Sequence, residues 1–220
     1  TGCRSRNAVD GAGERPTEGR LHACEMIDVA FDVTGGSVPA AHACALRAAV
    51  VAVLPWFAAT AAAGIHPLKG SGTADGELLL ARRARLVLRV PAHRGADCAA
   101  LEGRSLSIGD RVLKTGHGQV RALRPFPTLH AVRVTSVSAD GGAFQDEVAA
   151  GLAALDVTSP FISGRERHDD AGARTIRGFA LSVHELSPAA SLRLQAAGIG
   201  ADRALGWGIF VPAKAITMAD

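Results

Sequence analysis

Histidine is the residue type in this sequence best suited to moving protons near neutral pH. The 220-residue chain has eight histidines and no tyrosine, so no phenol is present to donate a proton. His42 falls in the first turn of a predicted helix, where the positive end of the helix dipole disfavours the imidazolium and keeps a neutral base available. His66 precedes Pro67 and lies close to Lys69 along the chain. A packing or capping role also suits His42, and a core or turn role suits His66, so these alternatives stay open.

Arginine carries almost all of the positive charge. Of the 24 lysines and arginines, only Lys69, Lys114 and Lys214 are lysine, and the net charge is +3. The planar guanidinium suits phosphate and stacking contacts better than the lysine ammonium does. The candidate phosphate-binding arginines lie on one face of an extended segment (Arg83, Arg85 and Arg89, with Arg121, Arg124 and Arg133 as an extension), on a hairpin (Arg165, Arg167, Arg174 and Arg177) and in a glycine-rich loop (Arg203). An ordinary solvated hairpin is the alternative for the second group.

Four glycines make the most specific local pattern, with a Gly-x-Gly pair at each end of residues 198–208. They are Gly198, Gly200, Gly206 and Gly208, and they lie between a predicted helix and the last predicted strand. Glycine permits positive φ and lets backbone N–H groups approach a phosphate or a neighbouring segment closely. The pattern is not a Rossmann fingerprint, which follows a strand and opens a helix, and no Walker-type Gly-Lys-Ser/Thr follows it. A helix C-cap glycine followed by a bulged strand is the structural alternative.

The sequence predicts neither a metal site nor a cofactor. The four cysteines show no Cys-x-x-Cys spacing and no clustering with histidine, which argues against a zinc knuckle or a disulfide framework and favours a reducing cytoplasm. No pair of carboxylates stands out, because Asp28 and Asp32 are interpreted as the solvent face of the first strand. A two-metal nuclease is therefore not indicated.

Hydrophobic periodicity predicts a mixed α+β chain. The first half is predicted to contain a strand at 26–33, a helix running from an N-cap at Ser37 to Leu54, an extended segment at 77–90, a short helix at 92–101 and a hairpin at 105–113. The second half is predicted to contain a strand at 128–137, a helix at 142–155, a hairpin of 161–167 with 174–183, a helix at 188–197 and a last strand at 205–211. This second order is the split βαβ order of a ferredoxin-like domain, and the first half is a less regular version of it.

The element order predicts two tandem ferredoxin-like, RRM-like βαββαβ domains over residues 24–124 and 125–220, with the glycine-rich loop near the C-terminus. Residues 1–23 are rich in Gly, Arg and Glu and are predicted to be a disordered extension. The alanine-rich run at 48–65 is interrupted by Pro55, so we expect a buried helix of a soluble protein there and not a membrane span.

A loop of this pattern near the end of a doubled ferredoxin-like chain resembles the RAMP superfamily of CRISPR proteins. More narrowly, it is similar to the Cas-six family, the endoribonucleases that cut CRISPR repeat transcripts into guide RNAs. The resemblance covers about residues 26–216 and includes Val38-Pro39-Ala40-Ala41-His42 with Leu46, which looks like the start of the family's first helix. The stretches at 66–70, 82–86, 192–195 and 210–212 resemble the myxobacterial-type subgroup of that family.

The resemblance implies cleavage of RNA without metal, by attack of a 2′-hydroxyl on the adjacent phosphate to leave a cyclic phosphate and a 5′-hydroxyl. It also implies that His42 is the general base, since a histidine at this helix start commonly serves catalysis in the family. Some relatives use a tyrosine as the second proton-transfer group, which this chain lacks, so that group must be another histidine, a lysine or water. His66, with Lys69 close by, is the candidate. The implied partners are a CRISPR repeat RNA stem-loop, contacted by the arginines and the glycine-rich loop, and subunits of a CRISPR effector complex.

Two other functions stay open at this point. A catalytically silent RAMP subunit that grips guide RNA would share the arginine-dependent RNA binding. A ferredoxin-like binder of a small anionic molecule would use the glycine-rich loop and would show absent or salt-insensitive RNA binding. Only the endoribonuclease predicts a metal-independent cut that the His42→Ala change abolishes.

Overall fold

The computed structural model of the chain describes residues 25–138, 140–172 and 174–213. Two antiparallel sheets dominate these residues, and each sheet has helices packed on one face over its own buried apolar cluster. The predicted disordered extension at 1–23 lies outside the described residues.

The first half of the chain forms the larger sheet. In chain order it contains β1 (Met26–Thr34), β2 (Ser37–Pro39), α1 (Ala43–Val53), α2 (Trp56–Ala59), β3 (Gly64–Ile65), β4 (Gly70–Ala74), β5 (Glu77–Leu80), β6 (Arg85–Pro91), two 3₁₀ helices (Ala92–Arg94 and Ala96–Leu101), β7 (Ser105–Ile108) and β8 (Arg111–Ala122). The strand order is β3-β6-β1-β8-β7, while β2, β5 and β4 form a small separate sheet. Alternation along β1 turns Ile27, Val29 and Phe31 toward the buried cluster, where Leu46 and Val50 of α1 pack.

The second half forms the smaller sheet. It contains β9 (Leu129–Thr135), α3 (Gly141–Ala154), β10 (Phe161–Ala171), β11 (Arg174–Val183), α4 (Pro188–Ala197), a 3₁₀ helix (Arg203–Leu205) and β12 (Val211–Pro212), with strand order β10-β11-β9-β12. Asp140 and Ser187 cap the two α-helices by accepting bonds from backbone N–H groups. Strands β10 and β11 form a long hairpin.

Both halves have the ferredoxin-like strand order, since β3-β6-β1-β8 corresponds to β10-β11-β9-β12. The predicted fold class is thereby confirmed. The predicted start of the first helix is wrong, because Ser37 is not its N-cap. Instead, Ser37–Pro39 pairs with β5 as strand β2, and α1 starts at Ala43 with His42 as the N-cap. A local capping signal was outweighed by strand pairing with a segment about forty residues away.

Two further predicted elements differ from those observed. The extended segment at 77–90 is two strands that belong to different sheets, β5 and β6. The predicted last strand at 205–211 is reduced to Val211–Pro212, because Gly206 and Gly208 have φ angles of +86° and +64° that no β-strand accommodates.

The alanine-rich run is divided by Pro55, as predicted. Helix α1 ends at Val53, and Pro55 is the N-cap of the short helix α2. No helix within the described residues is long and apolar enough to cross a membrane.

Candidate active site

His42 is held by the start of α1, and only 8% of its surface is exposed. Its Nδ1 lies 2.9 Å from the carbonyl oxygen of Pro39. Because a carbonyl oxygen only accepts, Nδ1 carries the proton and donates this bond. Nε2 therefore holds the lone pair that a general base needs. Burial lowers the pKa of His42, which favours the neutral ring near neutral pH.

A small recess, called here the His42 recess, surrounds this ring. It is lined by His42, Ala43, Leu46, Ile65, His66, Pro67, Arg133, Ala204, Leu205 and Gly206. The lining comes from the start of α1, from β3 and the two residues after it, from β9 and from the glycine-rich loop. Both halves of the chain thus contribute, and the two histidines singled out from the sequence share one recess with an arginine.

Arg133 projects into the recess from β9. Its guanidinium forms an ion pair with the carboxylate of Asp169 on β10. It also donates to the carbonyl oxygens of Gly206 and Leu205, at 3.3 and 3.4 Å. The Arg133 guanidinium carbon lies 5.4 Å from the ring centroid of Trp207, a cation–π distance. Arg133 therefore belongs to the His42 recess and not to the basic face predicted from the sequence.

A bulge in β9 explains why sequence periodicity did not place Arg133. Ala131 pairs with Leu181 and Val134 pairs with Phe179, so two residues of β9 lie opposite one residue of β11. Such a bulge re-aims side chains and is invisible to a period-two pattern. The sequence feature that could have identified Arg133 is its position among apolar residues in a predicted strand.

His66 and Lys69, the candidates for the second proton-transfer group, are placed differently. His66 Nε2 lies 3.3 Å from Oδ1 of Asp28. Burial lowers the pKa of His66, although this bond acts to raise it. One ring nitrogen of His66 is thus taken by a structural partner, which favours the core alternative for this histidine. Lys69 is exposed beside β4, and its role in proton transfer stays a prediction.

Arg89 does not lie on a basic face, contrary to the sequence-based expectation. Only 1% of its surface is exposed, and it binds the Asp28 carboxylate through Nε and Nη2 at 2.8 and 3.0 Å. Its Nη1 donates to the carbonyl oxygens of Gln195 and Phe210. Burial acts to raise the pKa of Asp28, but the bonds from His66 and Arg89 outweigh it and hold this pKa well below its usual value. Asp28 therefore does not mark a solvent face, and the guanidinium of Arg89 is bound within the protein.

The remaining predicted arginines lie at the surface. Arg83 is exposed before β6, and Arg85 is paired with Asp32 at 2.9 Å in a partly exposed contact. On the hairpin, Arg174 pairs with Asp202. The other hairpin arginines, Arg165, Arg167 and Arg177, are exposed and form no ion pair with a described residue.

The four loop glycines all have positive φ, between +64° and +86°. A Cβ atom at Gly208 would lie 2.4 Å from the carbonyl oxygen of Ile199, and one at Gly200 would lie 2.4 Å from Thr135 Oγ1. The loop is therefore folded tightly on itself and against β9, which accounts for the glycines structurally. Contact between this loop and a phosphate stays a prediction.

Arg203 is largely buried inside this loop, where backbone carbonyl groups bind its guanidinium, and its contact with a phosphate stays a prediction. Only 7% of its surface is exposed. Its guanidinium donates to the carbonyl oxygens of Ala196 and Ala197 at 3.0 and 2.5 Å, and to that of Ala62 at 3.2 Å. The first two are carbonyls at the end of α4, which lack helical partners. Burial lowers the pKa of Arg203 to about 10, so it is still charged at neutral pH.

Histidine, cysteine and carboxylate side chains are the usual protein ligands of metal ions. Within the part of the chain that the structure describes, no three of them are grouped so that they could hold a metal ion. Cys44 and Cys98 are both free thiols, and Cys98 is buried.

Comparison with known sequences finds a family model and a relative that agree with each other. The family model described as Cas6 Crispr matches residues 27–215. A protein named CRISPR-associated endonuclease Cas6, from Myxococcus xanthus strain DK1622, is 36% identical over 188 residues, which cover 85% of this chain and 81% of that protein.

Comparison with solved structures shows the same fold at low sequence identity. A Cas6-related protein from Pyrococcus furiosus superposes with a TM-score of 0.60 at 10% identity, covering 84% of this chain and 98% of the other. A structure described as a RAMP protein binding different RNA substrates gives 0.57 at 13% identity, with the same coverage. The endoribonuclease Cse3 bound to a 19 nt RNA gives 0.51 at 9% identity, covering 86% of this chain and 98% of that one.

Proposed function

Because this chain belongs to the Cas6 family of CRISPR-associated proteins, we propose that it is an endoribonuclease that binds and cuts CRISPR repeat RNA. The relative from Myxococcus xanthus is named as an endonuclease. The single observation that carries the proposal is the His42 recess, where a buried imidazole with an unprotonated Nε2 lies beside the Arg133 guanidinium. Metal-independent cleavage of RNA requires a base, a cation and an acid for the leaving oxygen, and these two residues would supply the first two.

The proposed reaction uses the 2′-hydroxyl of the substrate as the nucleophile. His42 Nε2 takes the proton of that hydroxyl while the 2′-oxygen bonds to the adjacent phosphorus. The bond from phosphorus to the 5′-oxygen breaks, leaving a 2′,3′-cyclic phosphate on one product. The departing 5′-oxygen takes a proton from His66, from Lys69 or from water; Nε2 of His66 is bonded to Asp28, so His66 would act through Nδ1.

RNA binding is proposed to use the exposed arginines. The hairpin set is Arg165, Arg167, Arg174 and Arg177, and Arg83 and Arg85 form a second set. A charged hairpin arm can follow the phosphates of an RNA stem, which is read mainly by shape and backbone.

We place the two ferredoxin-like domains at 24–124 and 125–220. Retention of the product by a CRISPR effector complex is part of the same proposal.

The first experiment measures cleavage of labelled repeat RNA from the protein's own locus, with EDTA present. Wild type is expected to make a single cut, and a substrate with a 2′-deoxy residue at the cut site is expected to remain whole. The His42→Ala variant is expected to lose cleavage by at least about a hundredfold, because a general base typically contributes that much. Binding of the uncut substrate should be nearly unchanged.

A matched control is His117→Ala. His117 is 78% exposed and pairs with Glu102 away from the recess, so its loss should leave cleavage intact. Tight binding without a cut by wild type would contradict the nuclease and favour the silent RNA-binding subunit. A cut that needs a divalent metal would contradict the proposed chemistry.

A further inference from the structure

The chemistry proposed above uses the Arg133 guanidinium as its cation but gives no role to the ion pair that Arg133 forms with Asp169. Arg133 and His42 line the same recess, and the Arg133 charge is close enough to lower the pKa of His42. The guanidinium is thus the only lysine or arginine cation among the described residues that line this recess. Yet one of its edges is occupied by the carboxylate of Asp169.

The partners of Arg133 divide into two kinds. The carbonyl oxygens of Leu205 and Gly206 and the ring of Trp207 are neutral, and they hold the guanidinium in place. Asp169 is the only anion paired with it among the described residues. A guanidinium binds carboxylates and phosphates in the same planar geometry. A phosphate could therefore replace the carboxylate while the neutral contacts persist.

The two members of the pair belong to different elements. Arg133 is on β9, and its side chain is only 15% exposed. Asp169 lies near the turn end of β10, opposite Ile176 of β11 in the hairpin. Its side chain is 32% exposed. The same hairpin carries the exposed arginines Arg165, Arg167 and Arg177. A movement of the hairpin toward RNA phosphates would move Asp169 relative to Arg133.

We propose that Arg133 is a further catalytic residue, which binds the scissile phosphate in exchange for the Asp169 carboxylate. Asp169 therefore occupies the anion position of the site until RNA arrives. This inference rests on the proposed function. The exchange forms an Arg133–phosphate contact as the Arg133–Asp169 contact breaks, and the guanidinium then neutralises the charge that develops on phosphorus as the 2′-oxygen attacks.

The test compares Asp169→Asn with Asp170→Asn. Asp170 is the next residue on the hairpin, and its carboxylate bonds to Thr175 and not to Arg133. Both changes remove one negative charge from the same strand, so their difference isolates the Arg133 contact. We expect Asp169→Asn to bind the uncleavable 2′-deoxy repeat RNA about tenfold more tightly than Asp170→Asn does, because the site no longer has to open. Combining it with Arg133→Lys should remove that gain.

Equal or weaker binding by Asp169→Asn, or a slower single-turnover cut with unchanged binding, would show that Asp169 only orients Arg133 and would overturn the inference. A wild-type protein that neither binds nor cuts repeat RNA would instead overturn the proposed function. A second measurement does not depend on the folding of the Asn variant. Inorganic phosphate should inhibit wild-type cleavage competitively with RNA, and the absence of competition would also overturn the inference.

Discussion

At the residue scale, the chemistry of the recess depends on which atoms are already bonded. Nδ1 of His42 is used by Pro39, so only Nε2 is available to a substrate. Nε2 of His66 is used by Asp28. The two histidines of the recess therefore differ in which nitrogen is already bonded, and the assignment of His42 as the base stays a prediction.

The pH dependence of cleavage follows from the environment of His42. Burial, and to a smaller extent the Arg133 charge, lowers its pKa, and the opposing effects of the Pro39 bond and Asp169 are weaker. The neutral base then persists below the ordinary value of 6.5. We expect the acidic limb of the single-turnover cleavage rate to have its midpoint below 6.5, in a titration from about pH 5 to 8.

The lowered pKa of His42 also makes the folding stability depend on pH, and stability falls toward acid pH as the cleavage rate does. Between the lowered folded pKa and the unfolded value, the unfolded chain binds more protons at His42, so stability falls as the pH drops through that window. The His42→Ala variant should lack this contribution, which urea unfolding at several pH values would reveal. An acidic limb centred above 6.5 would contradict a buried neutral base.

At the element scale, the glycine-rich loop connects α4 to the site. Its carbonyl groups at Leu205 and Gly206 accept from Arg133, and the N–H of Gly208 donates to the carbonyl of Arg133 at 2.9 Å. The loop therefore fixes β9 and the recess together. This is the consequence of its positive-φ glycines, which bring backbone segments closer than side chains would permit.

Gly208→Ala tests this role. The residue has a φ of +64°, and its Cβ would lie 2.4 Å from a backbone oxygen that cannot easily move. We expect a loss of unfolding free energy of at least about 2 kcal/mol, from strain and close approach together. Denaturation in urea measures it, and cleavage should fall in the fraction that stays folded.

Gly172→Ala is the matched control for Gly208→Ala. Gly172 has a similar φ of +68°, but no described atom beyond its chain neighbours lies within 4 Å of the Cβ position. Its substitution should cost only about 1 kcal/mol, the strain of the left-handed conformation. Equal losses for the two variants would mean that close approach is not what the loop requires.

At the scale of the whole molecule, two buried arginines join the halves of the chain. Arg89 of β6 reaches the carbonyl groups of Gln195 and Phe210 in the second half. Arg203 of the second half reaches the carbonyl group of Ala62 in the first. Since the His42 recess is lined from both halves, these contacts hold its two sides in register.

Arg89→Met should be strongly destabilising. It removes one of the two partners of the Asp28 carboxylate, the other being His66, and takes away the Arg89 donor from two carbonyl groups, at a cost of about 3–5 kcal/mol. Chemical denaturation measures this loss. The loss should shrink as the pH falls toward protonation of Asp28, because a neutral carboxyl no longer needs the arginine.

Arg85→Met is the control on the same strand. Arg85 and Asp32 form a partly exposed pair, with side chains 35% and 62% exposed, so its loss should cost only about 0–1 kcal/mol. A similar loss of unfolding free energy for both variants would contradict the role of Arg89 in joining the two halves of the chain.

Much of this organisation follows from the sequence by itself. Hydrophobic periodicity located β1, α3, α4 and the β10–β11 hairpin, because local alternation and capping groups determine where strands and helices form. The order of these elements predicted the ferredoxin-like fold, and His42 was placed at the start of a helix. The pattern of four glycines also indicated a loop with unusual backbone geometry.

Only the tertiary structure decided which charged residues are exposed and which are internal. Arg89, Arg203 and Arg165 are identical in chemistry, but the first two meet carbonyl groups contributed by distant segments, whereas Arg165 remains exposed. The Arg133–Asp169 pair depends on a bulge and on a hairpin that returns to β9. These contacts are long-range, and a guanidinium is buried only where several acceptors converge on it. That convergence is a property of the folded chain and leaves no local pattern in the sequence.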